Sequence, residues 1–431
     1  MKGRAAVVTG MGAVTPLGLD VATTWRRLLA GESGVSFIRE FPTDALRSDV
    51  AARVEGFESE RLLSRKETEI YGRVTQLTLA AATEAMSMAG FGGLFRADVP
   101  GATATALAPP VDRTRFGCLM STGQGSVDIF EQQIEKSRER GPRAVSPFFI
   151  PGVMPNSGTA LVSMRYGLMG PSYNLASACA TGTHAIATGA LMIEAGLADL
   201  MIVGSAEAAT RLNTVAGFGN ARALARSRDG DPTKASRPFD ADRQGFVMGE
   251  GAGALVLEAR DHAEARGAEI LAEVCGYGMS SDGAHLTRPH EDGRGILLAC
   301  RQALERAGLG PERIGYVNPH ATSTVAGDAA EIRALRALFG DGLASVPMSA
   351  TKSMLGHLLG GAGAVEAITV VCTLRDGVAH PSINVDTLDP ELGPIDVVVG
   401  APRPLRARYA LKISAGFGGH NCALVLGDGR A

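Results

Sequence analysis

The chain carries almost no surplus of charge: 42 Lys and Arg stand against 45 Asp and Glu, a net of −3 over 431 residues. That balance leaves no electrostatic footprint for nucleic acid. No run of about eighteen apolar residues is free of charge, so nothing reads as a membrane span. The opening, Met1-Lys2-Gly3-Arg4-Ala5-Ala6-Val7-Val8-Thr9-Gly10, lacks the pattern of a cleavable secretory signal. Cysteine is sparse as well. The six, Cys118, Cys179, Cys275, Cys300, Cys372 and Cys422, form no C-x-x-C pair and keep no regular spacing, which argues against a disulfide framework and against a zinc site. Aromatic residues make up only 5 %, whereas glycine occurs 55 times, a composition of closely packed helices and sheets with many tight turns. These absences predict a soluble cytoplasmic protein without membrane or nucleic-acid partners.

With 45 % hydrophobic residues the chain can bury a large core and is long enough for two or three units of domain size. A first strand is predicted over Ala5 to Gly12 and a helix over Val21 to Leu29. Thr43 to Leu62 is polar and irregular. Glu67 to Ala89 reads as one long helix, and Leu94 to Arg113 as a low-complexity surface loop. A strand follows at Arg115 to Ser121, and the charged segment Glu131 to Arg140 is a solvated helix stopped by Gly141-Pro142. Leu200 to Gly204 and Gly251 to Glu258 read as buried strands. The polar loop between them, Ala221 to Asp242, has a length that is usually functional or disordered.

Leu175-Ala176-Ser177-Ala178-Cys179-Ala180-Thr181-Gly182-Thr183-His184 is the stretch the rest serves. It leaves a strand-like run at Tyr173 to Leu175 and opens a small, apolar helix through Ala185 to Ile193. A cysteine at a helix N-terminus meets unpaired N–H groups and the positive end of the dipole, which favour the thiolate. A cysteine among alanines also reads as a small buried hydrophobe, the reading that suits the other five.

The second half repeats the first. Ser349-Ala350-Thr351-Lys352 opens a glycine- and alanine-rich helix as Ser177-Ala178-Cys179 does, 172 residues on, and A-L-V-L recurs at Ala254 and Ala423, 169 on. A near-constant offset marks a duplicated α/β unit. The halves are 1–260, with Cys179, and 261–431, and their strand-to-helix turns are expected at a shared central face. The second half offers His320 in Asn318-Pro319-His320-Ala321-Thr322-Ser323-Thr324, after the strand Ile314 to Val317, and His357 at a helix opening that mirrors the Cys179 turn. Either histidine alone reads as a satisfied polar residue; two at turns facing one centre, with Lys352 five residues before one of them, suggest a site.

These motifs, S-A-C-A-T-G, N-P-H-A-T-S-T, T-K-S-M-L-G-H-L-L-G-G-A-G and Gly416-Phe417-Gly418-Gly419-His420-Asn421, come in an order that resembles the β-ketoacyl-acyl carrier protein synthases of the elongating type II class. The likeness runs from V-T-G-M-G-A-V-T-P-L-G to the final A-L-V-L. It implies an α/β thiolase-like fold, duplicated in five layers, and a homodimer. It also implies a decarboxylative Claisen condensation. Cys179 carries the acyl group, the N–H groups of Cys179 and Phe417 hold the oxyanion, and His320 and His357 stabilise the enolate. Lys352 sits near the histidines with Glu366 as ionic partner, although a purely structural salt bridge reads as well. Thr322 and Thr324 match contacts of the phosphopantetheine arm, which arrives on acyl carrier protein, so no resident cofactor is expected. Phe417 matches a gating phenylalanine flanked by Gly418, and Phe218 lines the acyl pocket. Arg65, Lys66, Lys136, Arg138, Arg140 and Arg222 are candidates to meet an acidic carrier protein.

Two departures bear on the substrate. Gln124 replaces a bulky aliphatic residue expected to face the acyl tail, where a buried amide costs about 1–3 kcal/mol and disfavours a long alkyl chain. Ala415 replaces an aromatic before the gate. Both leave open a specialised pathway such as polyketide or aryl-polyene assembly. A non-elongating partner subunit would lack Cys179, and a thiolase would use a second cysteine, for which Cys422 is the candidate.

Overall fold

The computed structural model describes residues 4–95 and 111–429. One continuous ladder of ten strands runs through the molecule: β1 (Ala6–Val14), β2 (Phe116–Ser121), β3 (Leu200–Glu207), β4 (Gly251–Ala259), β5 (Ala272–Ser281), β6 (Ile314–Asn318), β7 (Pro347–Met348), β8 (Asp396–Val397), β9 (Tyr409–Gly416) and β10 (His420–Asp428), in the order β8-β7-β6-β9-β10-β5-β1-β4-β3-β2. The order is symmetric about the β5–β1 contact. That contact is short, only Val7 opposite Glu273 and Val8 opposite Ala272. Each side of it repeats the same four-strand pattern, β1-β4-β3-β2 against β5-β10-β9-β6.

The helices that matter are α1 (Val21–Leu29), α2 (Arg73–Met88), α3 (Val127–Arg140), α4 (Ser157–Tyr166), α5 (Thr181–Glu194), α6 (Leu212–Asn220), α7 (Arg294–Ala307), α8 (Val325–Phe339), α9 (Lys352–Leu355) and α10 (Ala362–Asp376). Helices α2 and α4 cover the outer face of the first half-sheet, and α7 and α8 that of the second. Between the half-sheets lie α5 and α10, packed on each other and on strands of both halves. The result is five layers, α/β/α/β/α. Both inner helices are buried almost all round, which explains why their sequences show small and apolar residues without a polar stripe.

Several expectations are corrected. The helix expected over Glu67 to Ala89 is two, Arg65–Ile70 and α2, broken at Gly72. A Cβ at Gly72 would stand 2.5 Å from Asp128 Oδ1 and 2.6 Å from Ser126 Cβ, so the chain turns where only glycine fits. Tyr173 to Leu175 forms no strand; backbone hydrogen bonds to β2 end with Tyr173 N donating to the Cys118 carbonyl at 3.3 Å, and beyond it Asn174 Oδ1 accepts from Thr122 N at 2.8 Å. The long segment Ala221 to Asp242 is held by ion pairs of two buried arginines. Arg237 meets Asp240 at 2.9 Å and Asp386 at 2.7 Å, and the neighbouring Arg243 meets Asp389 at 2.6 Å. Most of the loop expected over Leu94 to Arg113 lies outside the described residues. The duplication holds in the topology, but the inner helices begin 181 residues apart, at Thr181 and Ala362, rather than at the offset of about 170. Intervening loops differ in length between the halves, so each pair of equivalent elements has its own offset.

Candidate active site

Three turns from two halves meet at one cavity of about 350 Å³, lined among others by Cys179, Phe218, His320, Thr322, Thr324, His357, Ala415 and Phe417. The Cys179 turn is wound tightly. Thr181 Oγ1 accepts from Ser177 N at 2.9 Å and donates to the Ala178 carbonyl at 2.8 Å, and Ala178 is held at φ 49°. The other two turns show the same device, with Ala321 at φ 38° and Ser323 at φ 71° beyond His320, and Leu359 at φ 48° beyond His357. Left-handed backbone at residues other than glycine costs about 1 kcal/mol or more, and it persists where the surroundings over-determine it.

His320 is positioned by Glu331 of α8, whose carboxylate accepts from His320 N at 2.6 Å and Ala321 N at 2.8 Å. His357 does not open a helix as expected. It follows the cap residue Gly356 of the single-turn α9 and precedes α10 by five residues, with its N–H donating to the Val247 carbonyl at 2.7 Å. The two imidazoles cross edge to face, centroids 5.3 Å apart, and the Cys179 sulfur with one ring nitrogen of each histidine lies within 4.8 Å of the others.

Behind His320 the Lys352 ammonium donates to the His320 carbonyl at 2.6 Å and approaches Nδ1 at 3.4 Å. A donor at Nδ1 leaves the ring proton of a neutral imidazole on Nε2, the edge away from Lys352. Lys352 forms the expected ion pair with Glu366, and Glu366 also accepts from Lys412 Nζ at 2.7 Å. All three are buried, two formal positive charges against one negative. Burial first, and the Lys352 charge second, hold both histidines well below their usual value, so both rings are neutral near pH 7. The Cys179 thiol is pushed up to about 11 by burial, while Lys352 and the N–H groups of Phe417 and Cys179 favour its anion. Desolvation therefore outweighs the Lys352 charge and the two N–H groups, and the resting group is a thiol beside two neutral bases. One sulfur and two imidazoles would match the ligand count of an open metal site, but the net positive charge behind His320 opposes a dication there.

The remaining expected residues divide. Phe218 on α6 and Phe417 pack with ring centroids 6.1 Å apart, and Phe246 links Phe218 to His357 through contacts of 5.3 Å on each side. Thr322 and Thr324 share a hydrogen bond of 3.0 Å, and Thr324 also caps α8 through Gly327 N at 3.2 Å. Lys352 and Glu366 stand behind the lining rather than in it. Gly418 lies outside the lining too, in an exposed turn at φ 86° with its N–H donating to the Leu286 carbonyl at 2.7 Å. Gln124 is exposed on the single chain, outside the lining of the cavity. Glu207 accepts from Gly123 N at 3.2 Å and Gln124 N at 3.3 Å, which fixes that turn's backbone inward and its side chain outward. Cys422 is buried in β10 away from the cavity. Of the basic residues, Arg222 reaches the cavity rim, while Lys66, Lys136 and Arg140 border a separate surface groove. Lys412, Glu331 and Glu207 were not anticipated. The signal for Lys412 was one charge inside an apolar strand, Tyr409-Ala410-Leu411-Lys412-Ile413.

The β-ketoacyl synthase N-terminal domain profile matches residues 4–263, and the β-ketoacyl synthase C-terminal domain profile matches residues 271–386. The chain belongs to the β-ketoacyl synthase family. It is 43 % identical over 427 residues to the 3-oxoacyl-[acyl-carrier-protein] synthase 2 of Vibrio cholerae, covering 99 % of both chains, and 39 % identical over 424 residues to that of Staphylococcus aureus, covering 98 % of both. Among solved structures it is similar to a β-ketoacyl synthase from Burkholderia phymatum, with TM-score 0.86, 34 % identity and 99 % of both chains covered. A type II polyketide ketosynthase solved with its acyl carrier protein and a bound hexaketide superposes with TM-score 0.88 at 28 % identity, covering 99 % of this chain and 100 % of that one. The five-layered fold is that of these ketosynthases, and the family's enzymes are acyltransferases. Among the described residues no helix is long and apolar enough to cross a membrane.

Proposed function

We propose that this β-ketoacyl synthase condenses malonyl-acyl carrier protein with an acyl group held on Cys179, releasing CO₂ and a 3-oxoacyl chain two carbons longer, as in fatty-acid elongation. The observation that carries the residue assignment is the convergence of the Cys179 sulfur and both imidazoles within 4.8 Å at one cavity. Acyl-carrier thioester enters, the Cys179 proton passes to a neutral imidazole, and the sulfur attacks the thioester carbon. The N–H groups of Cys179 and Phe417, which already favour an anionic sulfur, are the donors for the oxyanion. The carrier thiol leaves with a proton. Malonyl-carrier then replaces it, and the C–C bond to its carboxylate breaks. The electron pair passes to an enolate whose oxygen is met by the N–H groups of His320 and His357; the enolate carbon attacks the acyl-Cys179 carbon, and the sulfur departs.

Acyl carrier protein is the proposed partner, its phosphopantetheine arm passing Thr322 and Thr324, with Phe417 as gate between glycines. A homodimer is the proposed assembly. Exposed Met164, Met169, Tyr173, Leu191 and Leu197 around the edge strand β2 support it, because a single chain leaves that apolar surface open. The structural likeness to polyketide ketosynthases favours a second reading of the pathway, with a polar growing chain as substrate. Intact-mass spectrometry with short, long and polar acyl carriers tests both readings. An adduct on wild type and none on Cys179→Ala, followed by a ketoacyl product with malonyl-carrier, is the expected result, and the preferred chain decides the pathway. No adduct with any donor overturns the assignment.

A further inference from the structure

The buried chain that begins at His320 does not end at Glu366. Lys412 Nζ on β9, with no exposed surface, donates to Glu366 Oε2 at 2.7 Å, to Ser414 Oγ at 2.8 Å and to the Ile413 carbonyl at 2.6 Å. Ser414 Oγ meets Thr183 Oγ1 at 2.8 Å, and Thr183 lies in the first turn of α5, which opens two residues after Cys179. The path His320, Lys352, Glu366, Lys412, Ser414, Thr183 joins the imidazole of one half to the nucleophile's helix in the other. An ammonium at this depth is costly unless fully paired, and breaking such a set by removing one partner is worse than never building it. The flanking Leu411 and Ile413 are core residues, so the strand itself has no need of a charge at this position.

We infer that Lys412 is a positioning residue for the condensation: it holds Glu366, and through it Lys352, so that the His320 ring turns its Nε2 edge to the cavity. The inference deepens the function proposed above and rests on it. An imidazolium still donates a hydrogen bond, but it cannot take the Cys179 proton, so neutrality is the state that matters. The charged and titratable groups around the two rings are Lys352 of α9, Lys412 of β9, Glu366 of α10, Glu331 and Asp328 of α8 with Arg243 against Asp328, Glu207 of β3, and Cys179. Burial is the main cause of the low histidine values, and Lys352 and Lys412 both add to it at each ring. Glu207 and Glu331, pushed up to about 7 by burial, carry only part of their opposing charge at neutral pH.

The test uses the full chain as wild type, Lys412→Met, Lys412→Gln and Ser414→Ala. Methionine fills the space without charge, glutamine keeps an N–H donor, and Ser414→Ala cuts the chain toward α5 while leaving the charge. Acylation, malonyl decarboxylation and condensation are each followed from pH 5 to 9. In both Lys412 variants kcat for condensation is expected to fall by up to about a hundredfold with KM for malonyl-carrier nearly unchanged. The acid limb of the profile is expected to move to higher pH as the rings gain protons more easily. Ser414→Ala is expected to lower kcat and leave the limb in place. If the methionine variant does not fold, the glutamine variant carries the same comparison. An acid limb superimposing on that of wild type, or a loss confined to KM, overturns the role of Lys412. An inactive wild type overturns instead the proposed function on which it rests.

Discussion

Cys179 is expected to alkylate as a neutral thiol and not as a standing thiolate. Burial pushes the thiol up to about 11, Glu207 adds to the rise, and Lys352 with the amides of Phe417 and Cys179 works against it. At pH 7 a thiol near 11 is about one part in ten thousand thiolate, whereas a free cysteine near 8.5 is about three parts in a hundred. The expected handicap toward a small alkylating agent is therefore about 300-fold. Iodoacetamide labelling followed by intact mass, with Cys179→Ala as blank, reads the rate directly. The rate should climb about tenfold per pH unit from 6 to 9 without levelling. Glu207→Gln removes a charge that raises the thiol and should speed labelling at fixed pH; Lys352→Met removes the charge that lowers it and should slow labelling. A plateau below pH 8 would refute the reasoning. It would mean that a thiolate–imidazolium pair already exists and that the helix N-terminus outweighs desolvation.

Gly182→Ala should cost about 1–3 kcal/mol in urea unfolding, because its Cβ would stand 2.2 Å from Ser205 Oγ and 2.6 Å from Ala364 N and force α5 off α10. Gly418→Ala, at φ 86° and with its Cβ 2.9 Å from His420 Nε2, should cost about 1–2 kcal/mol and slow condensation by disturbing the Phe417 backbone, read as a lower Tm and a lower kcat. Burial pushes Glu84 up to about 7 although Ala13 N and Val21 N both donate to it at 2.9 Å. A carboxyl raised above its unfolded value binds more protons when folded, so wild type loses stability between about pH 4.5 and 7 and Glu84→Gln does not. Thermal melts should show the variant gaining on wild type from pH 5 to pH 8.

Much of the site was legible because its chemistry sits in short turns after apolar runs. His320 follows a buried strand, Cys179 follows a partly exposed extended segment, and both precede small residues at turns of the α/β pattern. The Lys352–Glu366 pair was legible only through the family's motif, since the two are fourteen residues apart on separate helices. Lys412 was hidden by its strand: a period-two reading of Tyr409 to Gly416 assigns faces but says nothing of a carboxylate arriving from α10. The direction of Gln124 was hidden for a related reason. Which way a turn's side chain points is set by the amides that Glu207 collects, and Glu207 is more than eighty residues away. The break at Gly72 depends on the approach of Ser126 and Asp128, which no local propensity encodes.

The duplication explains why two equivalent turns make one site. Counting from helix starts, Thr181 corresponds to Ala362, so Ala178 corresponds to Leu359, and both are left-handed, at φ 49° and 48°. On the same count Gly182 corresponds to Gly363, the second glycine at the close α5–α10 crossing, where a Cβ would stand 2.4 Å from Thr183 Oγ1. The twin of Cys179 is then Gly360. A second nucleophile there would find no room, because a Cβ would lie 2.7 Å from Glu207 Oε2 and 2.9 Å from Gly123 N. Gly360 instead donates its N–H to Glu207 at 3.3 Å, beside the amides of the Gly123 turn. Counting from strand starts in the same way, the twin of His320 is Thr122, whose hydroxyl also donates to Glu207, at 2.8 Å. One half has thus turned its symmetric positions into a sulfur and a carboxylate-bound turn, and the other has kept the imidazoles and the lysines. Placing a cysteine at Gly360 should therefore damage the existing site and create no second one.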